Sequence, residues 1–209
     1  MKMKKCYYHF TGDKLRDGRD VPPVGEWLVH EGPLVPCKSG LHASEHPFDA
    51  LTYASGNRLH KVELGGEIVP HEDDKVCARR RKIVASLDAE PVLRAFVRRV
   101  ALDSVERFWK DAPAVVLEYL RTGREELRAA ARAAARVSAR VSARVAAWDA
   151  AWVAAGAAAR AAAGAAAGAA ARAAAGAAAG AAAGAKYRKW FLEMVEEAFS
   201  KAGESGCAK

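Results

Sequence analysis

An α+β fold is predicted for this chain: a small, mostly antiparallel sheet forms the head, and a long alanine-rich helical extension follows. Three observations predict it. Strand-like alternation and turn residues are confined to about residues 1–87, a helical apolar period takes over at Asp88, and from Arg128 the chain repeats every four residues on an alanine background. A chain of 209 residues can bury a real core in one or two domains. The expected divisions are 1–121 (head with flanking helices), 122–186 (Ala/Gly/Arg repeat) and 187–209 (amphipathic helix and tail).

Lys4–Phe10 alternates and is rich in aromatics, which reads as a strand closed by the turn residues Thr11-Gly12-Asp13. Leu15–Val24 is polar, carries Pro22-Pro23 and reads as loop. Short strands are expected at Glu26–His30 and at Leu34–Cys37. Ser44 reads as the N-cap of a short helix opened by Glu45, His46 and Pro47 and stopped by Gly56-Asn57. Leu59–Val69 is the cleanest alternating strand, with Gly65-Gly66 as a bulge or turn. Lys75–Ser86 reads as a partly exposed strand whose charges, Arg79 to Lys82, face solvent.

Asp88 caps a helix in which Val92, Leu93, Phe96, Val97 and Val100 fall on one stripe. Pro113–Leu120 is a second short helix, and Thr122-Gly123 is the break before the repeat, with Thr122 and Glu125 or Glu126 as its cap. Arginine then recurs at 128, 132, 136, 140 and 144, followed at the same spacing by Trp148, Trp152 and a Gly/Arg series ending at Arg188. Alanine is the best helix former, so helix is expected despite six glycines. As one helix, residues 124–186 would span about 95 Å. A step of four residues drifts about 40° per repeat, so the arginines spread around the cylinder and form no heptad seam. Tyr187–Phe199 regains an amphipathic stripe at Trp190, Phe191, Met194, Val195 and Ala198, which needs Trp148/Trp152 and the head, or another subunit, to pack on.

Charge separates the regions. Residues 1–120 carry a net +1, residues 121–189 a net +9 and residues 190–209 a net −2, so the basic character belongs to the repeat. Arginines scattered without interleaved aromatics make only a weak nucleic-acid signal. A membrane span over 150–185 conflicts with Arg160 and Arg172. The start of the chain has no apolar signal region, and Cys6, Cys37, Cys77 and Cys207 form no Cys-x-x-Cys pair. They read as reduced thiols in a cytoplasmic protein.

All six histidines lie at or before His71, so histidine chemistry belongs to the head. Cys37, His42 and His46, spaced Cys-x4-His-x3-His, are candidate zinc ligands, with His60, His71 or a carboxylate as the fourth. Their alternative reading, as ordinary structural residues, is preferred. Tyr8-His9-Phe10-Thr11, Gly40-Leu41-His42-Ala43-Ser44 and Asp49-Ala50-Leu51-Thr52-Tyr53-Ala54 resemble ADP-ribosyltransferase-like domains. That resemblance implies an NAD pocket in which His9 contacts the ribose, Ser44 is the small hydroxyl and Tyr53 lines the nicotinamide side; Glu63 and Glu67, on the following strand, are the candidates for its catalytic carboxylate.

A closer resemblance runs over about residues 22–120. Cys37, Gly40, Leu41, His42, Ala43, Pro47 and Asp49, then Val62, Glu63, Gly66 and Glu67, then Asp73, Asp74 and Lys75, then the basic strand Arg80–Ile83, resemble a domain of unknown function in bacteriophage and bacterial proteins. It implies a phage or prophage source and a modular head-plus-repeat design, and no activity. The function expected is therefore a non-enzymatic binding or interaction module, with the alanine-rich helix as spacer or packing arm. Its partner would be a protein, or a second copy through the Ala/Gly helix. The alternative is an NAD-binding transferase-like head.

Overall fold

The computed structural model describes residues 5–71, 74–139 and 176–203. Five strands, β1 (Tyr7–Thr11), β2 (Trp27–Val29), β3 (Leu41–Ala43), β4 (Arg58–His71) and β5 (Lys75–Asp88), form one antiparallel sheet ordered β1-β4-β5-β2, with β3 also pairing β5. Helix α1 (Pro47–Thr52) joins β3 to β4, and α2 (Glu90–Phe108), α3 (Ala114–Thr122), α4 (Glu125–Ala139) and α5 (Gly176–Lys201) follow. The class is α+β, as the change of period predicts. Among the described residues, no helix is long and apolar enough to cross a membrane.

The sheet curls because of how β1 and β3 end up. β1 pairs β4 along one edge, with Tyr7 opposite Val62 and His9 opposite His60. On its other edge Tyr8 exchanges both backbone hydrogen bonds with Ser44, just past β3, at 2.7 and 2.9 Å. β3 in turn pairs β5 from Leu41–Ala78 to Ala43–Val76. The ring β1-β4-β5-β3 thus closes on itself. Alternation then sorts the side chains: Tyr7, His9 and Thr11 share the inner face, and Tyr8 and Phe10 share the outer one. Tyr7, Ala43, Val62, Val76 and Ile83 fill the inside, with Val21 of the 12–26 loop packed against them.

Two irregularities shape the long β4–β5 pair. Lys61 pairs Ala85 and Val62 pairs Ile83, so β5 carries an extra residue there. Register shifts again between Gly65 and Ile68, where Gly66 has φ +71°. The Gly-Gly step is a bulge within one strand. The expected strand at Leu34–Cys37 is a tight turn instead: Val35 bridges Ser39, and Cys37 sits at φ +66°. The N-cap of α1 is His46, not Ser44. His46 Nδ1 accepts the Phe48 amide at 3.1 Å, whereas Ser44 is taken up by its pairing with Tyr8.

The main core lies between the outer face of the sheet and α1, α2 and α5. Phe10, Phe48, Leu51, Leu59, Leu93, Phe96, Phe191, Val195 and Phe199 are all buried there. Asp88 accepts the Glu90 amide at 2.9 Å and opens α2, and Gly123 at φ +70° closes α3. A second cluster joins α2, α3 and α4 through Val105, Val116, Leu120, Ala131 and Ala135. The amphipathic stripe of α5 therefore folds back on the head. Arg188 makes a two-pronged ion pair with buried Asp49 of α1, and Lys186 and Tyr187 reach Asp103 of α2 at 2.6 and 3.0 Å. The repeat between 140 and 175, with the expected break near Gly156 and the packing role of Trp148 and Trp152, lies outside the described residues.

Candidate functional site

The inner face of the ring is built on a hydrogen-bonded relay. The Thr11 hydroxyl donates to the Gly12 carbonyl at 2.9 Å, so its oxygen is left to accept from His60 Nε2, also at 2.9 Å. The proton of His60 is thereby placed on Nε2, and Nδ1 accepts the Ser86 hydroxyl at 2.6 Å. His60 is fully buried, and burial, with the charges of Arg81 and Arg58, pulls its pKa down to about 3. It stays neutral at physiological pH. The His9 ring stacks beside it, centroids 6.4 Å apart. Burial first, then the charge of Arg81, holds the His9 pKa well below the ordinary histidine range.

Arg81 is the unexpected member. The prediction that the charges of β5 face solvent fails here: Arg81 is only 5% exposed. Alternation puts it on the opposite side of the strand from Arg80 and Lys82, and ring closure turns that side inward. Its Nη1 donates to the His42 carbonyl at 2.7 Å, and burial lowers its pKa to about 10. His42, on β3, is lowered by burial and by the charges of Lys75, Arg81 and Arg16. Arg16, from the loop, anchors on the Tyr53 carbonyl at 2.8 Å.

At the rim, the Cys37 amide donates to His42 Nε2 at 3.0 Å, and Cys37 Sγ lies 3.3 Å from His71 Nε2. The Tyr53 hydroxyl donates to Asp74 Oδ2 at 2.5 Å, with Lys75 Nζ 4.1 Å above the Tyr53 ring. Cys37 and Cys77 are free thiols, whereas Cys6 is engaged in a disulfide, against the expectation of reduced cysteines throughout. A polar cleft of about 430 Å³ opens at the far end of the ring, lined by Gly12, Asp13, Asn57, Arg58, Ser86, Leu87 and Asp88.

The residues singled out in the sequence are thus distributed as follows. Of the three candidate zinc ligands, Cys37 and His42 lie together, joined by His71, while His46 is committed to capping α1. Among the described residues, no group of three or more His, Cys, Asp and Glu side chains is arranged to hold a metal. Of the four residues that an NAD pocket would need, His9 lies inside the ring and Ser44 is buried beside Tyr8. Tyr53 sits at the C-terminal end of α1. Glu63 pairs with Lys82 at 2.9 Å. Lys61, two residues before Glu63, reaches Glu196 of α5, so Glu63 lies on the helix side of β4, opposite His9 and His60.

Sequence reasoning missed Arg81 and Ser86, and named His60 only as a possible fourth zinc ligand. The only available signal was alternation, which groups residues by face without saying which face a curled sheet encloses.

No curated protein and no solved structure matches the chain. A family model described as Domain of unknown function (DUF7666) matches residues 6–95, from the start of β1 into α2. The whole ring, with its relay, its buried arginine and its cysteine–histidine rim, therefore lies within the matched residues.

Proposed function

We propose that the protein is a non-catalytic interaction module, in which the head anchors both ends of the Ala/Gly/Arg segment and that segment makes the contact. The observation that carries this reading is the placement of His9 and Glu63 on opposite sides of β4. A transferase needs its nucleotide-contacting histidine and its carboxylate to converge on one bound substrate. The anchoring supports the other half. α4 buries Ala131 and Ala135 against α2 and α3, and α5 buries Phe191 and Phe199 in the main core, so both flanks of the segment are packed on the head.

Its small residues every four positions favour close approach of a second helix, which makes another copy of the chain the first partner to test. The phage or prophage source rests on the residue-pattern resemblance alone.

Two measurements on the full chain test this. Sedimentation velocity over a wide concentration range should show reversible self-association, and a concentration-independent monomer would remove the second copy as partner. Incubation with NAD should release no nicotinamide above background. Release that disappears in Glu63→Gln would overturn the non-catalytic reading.

A further inference from the structure

We propose that Cys37 is a nucleophilic thiol with His71 as its base, and that it is modified by thiol–disulfide exchange with the disulfide of a small thiol. Cys37 and Cys77 are the two free cysteines among the described residues, and the fold treats them oppositely. Cys77 is fully buried, its thiol donates to the Ser39 carbonyl at 3.2 Å, and burial pushes its pKa up. Cys37 is exposed, and its Sγ lies 3.3 Å from His71 Nε2. A sulfur nucleophile within hydrogen-bonding reach of an imidazole lets that base take the thiol proton as the new bond forms.

The backbone holds the thiol in place. Cys37 has φ +66° and is the one described non-glycine residue in the left-handed region. Two backbone hydrogen bonds between Val35 and Ser39, at 2.9 and 2.8 Å, close the turn around it, and the Cys37 amide donates to His42 Nε2 at 3.0 Å. An unfavourable backbone conformation persists only where its surroundings fix it, and here it presents the sulfur to His71 at the end of β4. A cation completes the corner. Lys75 is paired with His71 across the β4–β5 ladder, and its ammonium lies 4.1 Å over the Tyr53 ring. Burial lowers the Lys75 pKa, and interactions with Tyr53 and Cys37 more than offset that. A positive charge beside a thiol favours its anionic, nucleophilic form.

The exchange balances without a further reactant. The Cys37 sulfur attacks one sulfur of the small disulfide, the old S–S bond breaks, and a mixed disulfide forms at Cys37. The thiol proton passes to His71 Nε2 and from there to the departing thiolate, which leaves as a thiol. An exposed turn admits a reagent of that bulk. The step is a stoichiometric modification of the head, so it stands apart from the contact made by the arm.

The test is incubation of the full chain with oxidised glutathione at neutral pH, with the rate at each cysteine read by mass spectrometry of its peptides. Glutathionylation of the folded chain is expected at Cys37 and not at Cys77. The rate at Cys37 should be about fivefold to tenfold higher in the folded chain than in the same chain unfolded in urea, where His71 and Lys75 no longer face the sulfur. His71→Gln should bring the folded rate down to the unfolded one, and Lys75→Gln should lower it several-fold. A purely structural role for His71 predicts the reverse, because a loosened turn exposes the thiol further and speeds exchange. Should His71→Gln fail to fold, the comparison of folded and unfolded unmodified chain still decides. A folded rate at Cys37 no higher than the unfolded one, an undiminished rate in a folded His71→Gln, or modification of Cys77 in preference to Cys37 would overturn the proposal.

Discussion

His60 sets the acid response of the head. Its imidazole is buried and neutral, donating to Thr11 and accepting from Ser86, with a pKa pulled down to about 3. His9, His42 and His46 are lowered too, each chiefly by burial. For a histidine whose folded pKa lies below its unfolded value near 6.5, the folded state binds fewer protons. The stabilisation is complete above about pH 6.5 and is lost as the pH falls toward the folded pKa. For His60 alone the full effect is on the order of 5 kcal/mol. Urea midpoints measured from pH 8 to pH 4 should therefore fall steadily, in a window above that of most carboxylates. His60→Gln should flatten the curve, and parallel curves for the two proteins would remove His60 as the cause.

At the scale of elements, α5 is bound to the sheet by charge as well as by apolar contact. Lys61, on β4, is nearly fully buried. Its ammonium meets Glu196 of α5 at 2.9 Å and lies 4.7 Å from the centre of the Phe199 ring. Tyr8 of β1 donates to the other oxygen of Glu196 at 2.7 Å. Removing only the acid strands a buried ammonium, whereas replacing the lysine by an apolar residue leaves a partly exposed acid that water can solvate. Glu196→Ala is expected to cost about 2–3 kcal/mol and Lys61→Met distinctly less. Guanidinium unfolding of both variants checks the order, and a larger loss for Lys61→Met would contradict this account of the pair.

At the scale of the molecule, the domain match ends at residue 95, yet the core it encloses is completed by residues 187–199. Phe191 packs 4.9 Å from Phe96 and edge-on to Phe48, so α2 and α1 share it as a common partner. A chain ending at Lys186 would expose the outer face of the sheet, along with unpaired Lys61 and Asp49. We expect it to lose near-UV circular dichroism and cooperative unfolding, or to aggregate. A truncated protein with a native-like near-UV spectrum and a sharp transition would show instead that the head closes its core alone.

The sequence by itself determined the kinds of element and their order. Alternation marked β1, β2, β4 and β5, a change of period at Asp88 marked α2, and Gly65-Gly66 marked the bulge, because each is a short-range property of neighbouring residues. It also placed most of the chemistry-bearing residues in the head. Tertiary structure decided what those residues meet. Only the Tyr8–Ser44 bridge closes the ring, and closure is what turns Arg81 inward with His9 and His60. Only the return of α5 gives Lys61 its acid, and these two residues lie on opposite sides of a repeat whose alanines and glycines carry little pairing information. Local periodicity fixes which side chains share a face. Which face is enclosed, and what charge meets it there, follows from contacts between residues far apart in the chain.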